Sequence, residues 1–198
     1  MSSLTASILS AAEALSEGGL LSPKEFLHLA SRAAVDQTFS RLAKEGHLLR
    51  VGRGTYTRPV AGRFGARPPS AESVIEAIET TSGEVVVSHG AAEANALGLT
   101  TQVPIREVFL TSGPARTLQL GNRVIEIKHG QRWQLSLGNR PAGRVIRALS
   151  WLGPEQATTA LKMLGNRISA EEWQAMRASR STLPGWMAQA VSEATEHA

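Results

Sequence analysis

Val35, Phe39 and Leu42 stand at i, i+4 and i+7 in a stretch whose other positions are mostly polar, the spacing of a helix with one apolar stripe. Ser31 precedes the stretch where an N-cap belongs, and Gly46 follows where a helix stops. The opposite face carries Arg32, Asp36, Gln37, Ser40, Arg41 and Lys44. Next come Leu48-Leu49-Arg50-Val51, Gly52-Arg53-Gly54 and Thr55-Tyr56-Thr57, which read as strand, tight turn and strand with an arginine at the tip. Upstream, Ile8, Leu9, Ala12 and Leu15 share one side of a helix over 5–17 that Gly18-Gly19 ends. Ser22-Pro23-Lys24-Glu25 then holds a cap, a first-turn proline and a capping-box glutamate. It opens a second helix to about Leu29, burying Phe26 with Leu27 or Leu29. A helix followed at once by a basic-tipped hairpin, as 31–46 is, has the layout of a winged helix-turn-helix, in which that helix enters the major groove and the wing lies against the backbone or minor groove.

The later chain has another character. Arg58 to Ser70 is rich in proline, glycine and arginine and reads as a linker or an extended arm. Ser70 caps a helix with Val74, Ile75 and Ile78 on its apolar face, closed by Gly83. Strands are expected over 84–88, 107–111, 117–120 and 124–128, the last two joined by Gly121-Asn122, with 132–137 as a further strand. A short alanine-rich helix over 90–97 interrupts them, and helices follow over 142–152, 154–164, 169–180 and 184–195. The expected class is α+β: a winged helix-turn-helix over 1–60, a linker over 61–69, and an α+β domain with a small sheet and C-terminal helices over 70–198.

Charge sharpens this division. The chain of 198 residues has a formal net charge of +4. Residues 1–67 hold nine Lys or Arg against five acids, while the remainder holds twelve of each, so the whole excess lies with the helix and hairpin. From Arg50 to Arg67 there are five arginines and no acid, a concentration that favours a polyanion through counterion release. A hydrophobic content of 42% provides for a packed core. The absence of cysteine excludes disulfides, thiolate metal sites and cysteine nucleophiles, and fits a reducing cytoplasm. No secretory leader pattern opens the chain, and no apolar run approaches the roughly 20 residues of a membrane span.

The candidate DNA-binding residues are Ser31, Arg32, Asp36, Gln37, Ser40, Arg41, Lys44, Arg50, Arg53, Arg58 and Arg63. Arg32, Gln37 and Arg41 suit base edges, since arginine pairs bidentately with guanine and glutamine with adenine. Lys44, Arg50 and Arg53 suit phosphates or the minor groove, with Gly52 and Gly54 clearing the approach of Arg53. Asp36 either accepts from a cytosine amino group or repels phosphate. Arg58, Arg63 and Arg67 form an arm over the backbone or belong to a plain linker. Tyr56 and the four tryptophans, Trp133, Trp151, Trp173 and Trp186, are expected as core or interface anchors.

No catalytic residue, metal ligand or cofactor is expected. Glu126 and Lys128 have the E-x-K form of magnesium-dependent nucleases, and such a nuclease is the alternative reading; however, the only aspartate is Asp36, far away in sequence. His89 and His129 lack an aspartate to orient them, and neither a G-x-S-x-G elbow nor a P-loop is present. A stand-alone nucleic-acid-binding interaction module is a further alternative.

Ala96-Leu97-Gly98-Leu99-Thr100-Thr101-Gln102-Val103-Pro104, then Val108-Phe109-Leu110-Thr111-Ser112-Gly113-Pro114, Gly121 and Ile125-Glu126-Ile127-Lys128-His129 follow one another in a recognisable order. This resembles the C-terminal domain of AbiEi family antitoxins and their DUF6088-type relatives. Gly52-Arg53-Gly54-Thr55-Tyr56 is similar to the same family's N-terminal winged helix, and the likeness runs from about Ser22 to Pro184-Gly185-Trp186. The resemblance implies a cytoplasmic antitoxin of a type IV toxin–antitoxin or abortive-infection system. It implies a winged helix that represses its own promoter at inverted repeats in double-stranded DNA. The C-terminal domain would neutralise a paired nucleotidyltransferase toxin without a stable complex, and the protein would be a monomer or weak dimer, paired on DNA.

Overall fold

A computed structural model describes residues 3–63 and 65–196. The chain divides into two compact units, residues 1–84 with 116–126 and residues 85–115 with 127–198.

The first unit opens with α1 (Leu4–Ala14), capped by the Ser3 hydroxyl, and β1 (Leu20–Leu21). A single 3-10 turn, Pro23–Phe26, follows, with Ser22 and Glu25 closing a capping box. Then come α2 (Arg32–Lys44), β2 (Leu49–Gly52) and β3 (Thr55–Thr57). The three strands form an antiparallel sheet in the order β1-β3-β2, with Leu21 opposite Tyr56 and Leu49 opposite Thr57. Val35, Phe39 and Leu42 are buried as their spacing predicts, in a core with Ile8, Ala12, Leu21, Phe26, Leu48 and Tyr56. The Phe39 ring lies 5.6 Å from that of Phe26 and 4.8 Å from that of Tyr56. The expected second helix to Leu29 is shorter than the pattern suggested. Leu27 N–H reaches Lys24 O and Leu29 N–H reaches Phe26 O, three residues back, so only tight turns form. Phe26 enters the core while Leu27 and Leu29 remain 42% and 47% exposed.

The expected linker is also structured. β4 (Val60–Gly62) and β5 (Gly65–Arg67) pair as an antiparallel hairpin, with Val60 opposite Arg67 and Gly62 opposite Gly65. Its root is fixed: the Arg67 guanidinium donates to both carboxylate oxygens of Glu17, at 3.1 and 3.4 Å, and Glu17 also accepts from Ser70 N–H. α3 (Ala71–Ser82) then buries Ala71, Val74, Ile75 and Ile78, and ends at Gly83 with φ +70°. A side chain at Gly18 would lie 2.4 Å from the Ser73 carbonyl carbon of α3, so only glycine allows that approach.

The chain next forms β6 (Val86–Ser88), α4 (Gly90–Ala96) and β7 (Glu107–Thr111) before returning to the first unit as β8 (Arg116–Leu120). β9 (Arg123–His129) begins in the first unit and ends in the second. In the first unit β8 pairs with β9, Leu118 lies beside Gly52 of β2, and Arg116 forms a two-pronged ion pair with Glu84 at 3.2 and 2.8 Å. The first unit therefore extends past the boundary expected near residues 60–70 and takes in a segment from much later in the chain. The apolar faces of α3 and β8 find their burial there.

In the second unit β7 lies between β6 and β9, with Val87 opposite Leu110. Residues 132–137, expected as a strand, instead open with α5 (Arg132–Leu135). Trp133, Leu135 and Leu137 alternate as in a strand, but Gln131 N–H donates to Gln134 Oε1 and closes a helical turn. α6 (Pro141–Leu152), α7 (Pro154–Leu164), a 3-10 turn (Gly165–Arg167), α8 (Ala170–Ser179) and α9 (Gly185–Glu196) follow within a few residues of their expected bounds. Val145, Ile146, Leu149, Leu161, Leu164, Trp173, Met176, Met187 and Val191 form their common core. Trp133 and Trp186 pack partly buried against it, whereas Trp151 is 36% exposed.

α4 and α6 approach so closely that a side chain on Gly90 would lie 2.2 Å from Arg147 O. An ion cluster ties them. Buried Glu93 accepts from Arg147 Nη2 at 2.9 Å and Arg144 Nε at 2.8 Å, and Arg147 also donates to Gln134 O and Gly138 O. Arg147 is fully buried, and among the described residues its Nε has no partner.

Removing the Glu93 carboxylate strands a buried guanidinium. Glu93→Ala is expected to lower the unfolding free energy by about 3–5 kcal/mol, and Arg144→Ala, which leaves the Glu93–Arg147 pair in place, by less. Urea unfolding followed by circular dichroism checks the contrast.

Candidate nucleic-acid interface

Burial of Val35, Phe39 and Leu42 fixes the rotation of α2 about its axis. At about 100° per residue, Gln37, Ser40 and Lys44 sit near the centre of the opposite face, with Asp36 and Arg32 to one side and Arg41 to the other. All six are exposed. The Ser31 hydroxyl accepts from Ala34 N–H at 3.4 Å and caps the helix, which gives this candidate contact a structural duty as well.

The flanking charges are positioned by neighbours. Arg32 Nε donates to Asp36 Oδ2 at 2.7 Å, one turn away, so Asp36 faces an arginine on its own helix. Arg41 Nη2 donates to Thr5 Oγ1 of α1 at 2.8 Å, a partner 36 residues distant that no local pattern announces. Any ligand group reaching these arginines would have to displace these partners. Both pairs are solvent-exposed, and such pairs are worth at most about 1 kcal/mol, so the competition is easily won.

Arg53 is exposed between Gly52 and Gly54, and Gly54 has φ +67°, a conformation that keeps the tip narrow. Arg50 is exposed and its Nε donates to Gly52 O at 3.3 Å. The β2–β3 pairing is irregular between Arg50 and Gly52. Arg58 and Arg63 are exposed too, but they follow β3 and β4, whereas Arg53 precedes β3. Chain direction therefore places Arg58 at the end of β3 away from the Arg53 tip. Arg67 is engaged at the hairpin root, and its hydrogen bonds, followed by that from Ser70 N–H, hold the Glu17 carboxyl below its ordinary range.

Of the residues weighed for catalysis, the two histidines make backbone contacts. His89 caps α4, its Nδ1 accepting from Ala91 N–H at 3.2 Å. Burial, and then the Lys128 charge, lower its pKa and favour the neutral ring that this cap needs. His129 Nδ1 lies 2.9 Å from Gly113 O. Glu126 is half-buried and Lys128 exposed, and among the described residues no three His, Asp or Glu side chains come together as a metal-binding group. No helix among the described residues is long and apolar enough to cross a membrane.

The structure thus defines an α+β protein whose first unit displays a polar, basic helix beside an arginine-tipped hairpin. The chain belongs to DUF6088, a family of unknown function, whose profile matches residues 7–170. No curated protein matches it. Among solved structures it is similar to the RV2827C protein from Mycobacterium tuberculosis, at a TM-score of 0.52 and 13% identity over 99% of this chain and 77% of that one. That likeness concerns the fold alone.

Two outcomes follow from these caps. Ser31→Ala should cost about 1 kcal/mol of stability, measured by urea unfolding. His89 has a lowered folded-state pKa, so its contribution is complete above the ordinary histidine value of about 6.5 and is lost as pH falls through the folded value. His89→Asn retains a cap acceptor that does not titrate. Its unfolding free energy should fall less steeply than wild type below about pH 6.5.

Proposed function

We propose that the protein is a double-stranded DNA-binding autorepressor whose first unit acts as a winged helix-turn-helix. The observation carrying this reading is the outward face of α2, with Gln37, Ser40 and Lys44 flanked by Arg32 and Arg41, continued by the Arg53-tipped hairpin. The 13-residue helix is about 20 Å long and of a width the major groove admits. Gln37 and Arg41 read base edges, Lys44 and Arg50 hold phosphates, and Arg53 reaches the backbone or minor groove. Two copies read an inverted repeat in the protein's own promoter, with half-sites one helical turn or a multiple apart. The AbiEi resemblance supports a second role, in which the second unit neutralises a paired nucleotidyltransferase toxin without a stable complex; Arg58 and Arg63 then serve as auxiliary DNA contacts.

Fluorescence anisotropy with the gene's own upstream duplex and a scrambled duplex, across a salt series, tests the DNA reading. Affinity for the upstream duplex should exceed that for the scrambled one and fall steeply with salt. Arg41→Ala should cost about 1–3 kcal/mol on the upstream duplex and much less on the scrambled one, whereas Lys44→Ala should weaken both equally and reduce the salt slope by about one. A wild-type protein without salt-sensitive affinity for either duplex ends the proposal.

A further inference from the structure

The second unit carries a groove that DNA binding leaves unused. It lies among α7, the 165–167 turn, α8 and α9, and has a volume of about 1120 Å³. Leu161 and Trp173 lie buried beneath it, and half-buried Ile168 with exposed Ala170 and Ala178 gives it an apolar surface. The Trp173 indole N–H donates to Gly165 O at 3.2 Å and the residue is only 7% exposed, so its ring is a fixed edge of the floor and not an open face for stacking.

Three cations line the groove: Lys162 from α7, Arg177 from α8, and Arg180 just beyond it. Arg180 is held in place, its Nε donating to Arg177 O and its Nη1 to Ser192 Oγ, both at 2.9 Å. Among the described residues the one acid at the groove, Glu193, accepts from Gln189 Nε2 at 2.9 Å. Residues 154–194 contain four cations and four acids, so the helical region is neutral. The charge is nonetheless segregated. Arg167 is outside the groove and donates to Leu97 O, and Glu172 is turned to Arg140.

We propose that this groove binds an acidic amphipathic helix of a protein partner. An apolar surface beside a cationic rim matches a helix with apolar residues at i, i+3 or i+4 and i+7 and carboxylates along both margins. A nucleic-acid strand would satisfy the rim but gain little from Ile168, Ala170 and Ala178, since among the described residues the groove has no exposed ring on which a base could stack. This site is independent of the α2 face, and its test does not depend on DNA binding.

The test uses the full-length protein and three labelled synthetic peptides of roughly 16 residues, long enough to form a helix when bound. One has a leucine stripe flanked by glutamates, one the same stripe flanked by lysines, and one the glutamate composition with shuffled leucines. The glutamate-stripe peptide should bind at least about tenfold more tightly than either control, and Arg177→Glu or Lys162→Glu should each weaken it by about tenfold. Amide shifts in an NMR titration should centre on Gln174, Arg177 and Ala178. Both substituted side chains are exposed, and Arg177→Gln, which keeps a polar side chain, should show a smaller loss if either reversal disturbs folding. Equal binding of the lysine-stripe peptide, insensitivity to Arg177→Glu, or shifts centred elsewhere overturns the proposal. Binding of poly(U) RNA that Arg177→Glu abolishes, with no binding of the glutamate-stripe peptide, assigns the groove to nucleic acid and equally overturns it.

Discussion

Phe39 decides which way α2 faces. Its ring is fully buried between Phe26 and Tyr56, and Val35 and Leu42 extend the same stripe one turn in each direction. A helix held by three buried residues on one side has no rotational freedom left to choose which residues meet solvent. Gln37, Ser40 and Lys44 point outward as a consequence of aromatic packing about which they have no say. Truncating an aromatic ring in such a cluster costs about 3–5 kcal/mol, an energy comparable to the stability of a small domain. The candidate interface is therefore no more ordered than the core behind it.

The second unit uses a different means to the same end. Where the first unit relies on rings, α4 and α6 rely on the contact at Gly90 and on Glu93 bridging two arginines. Burying a full charge is unfavourable unless its partners are in place, so the cluster penalises every arrangement of the two helices except this one. Burial lowers the pKa of the Arg147 guanidinium, while Glu93 acts in the opposite direction. Specificity of packing and net stability are separate matters here, because Arg147 Nε is buried without a partner among the described residues.

Much of this architecture was legible from spacing alone. Ser31, Ser70 and Gly83 mark helix ends, and the stripes on α2 and α3 are buried as their spacing predicts, because each of these signals is local. The structure departs from the pattern where contacts that neither composition nor alternation announces take over. Residues 61–69 looked like a linker, yet Arg67 meets Glu17 fifty residues away and the intervening chain pairs with itself. Residues 132–137 alternated like a strand, but a glutamine pair closed a helical turn. On the candidate interface, every residue named from the sequence is exposed, whereas the Thr5–Arg41 hydrogen bond depends on tertiary packing and left no trace in the pattern.

The route of the backbone has a consequence for how this molecule can change. The chain leaves the first unit after Glu84, comes back at Arg116, and departs again after Glu126 along a single continuous strand. A recombination event that grafted only the opening eighty-odd codons onto another gene would leave Leu118 and its hairpin behind, and would bare the flank of β2 that they cover. The two halves are thus bound to be inherited together, and new properties are more accessible through replacement of surface side chains than through exchange of whole modules.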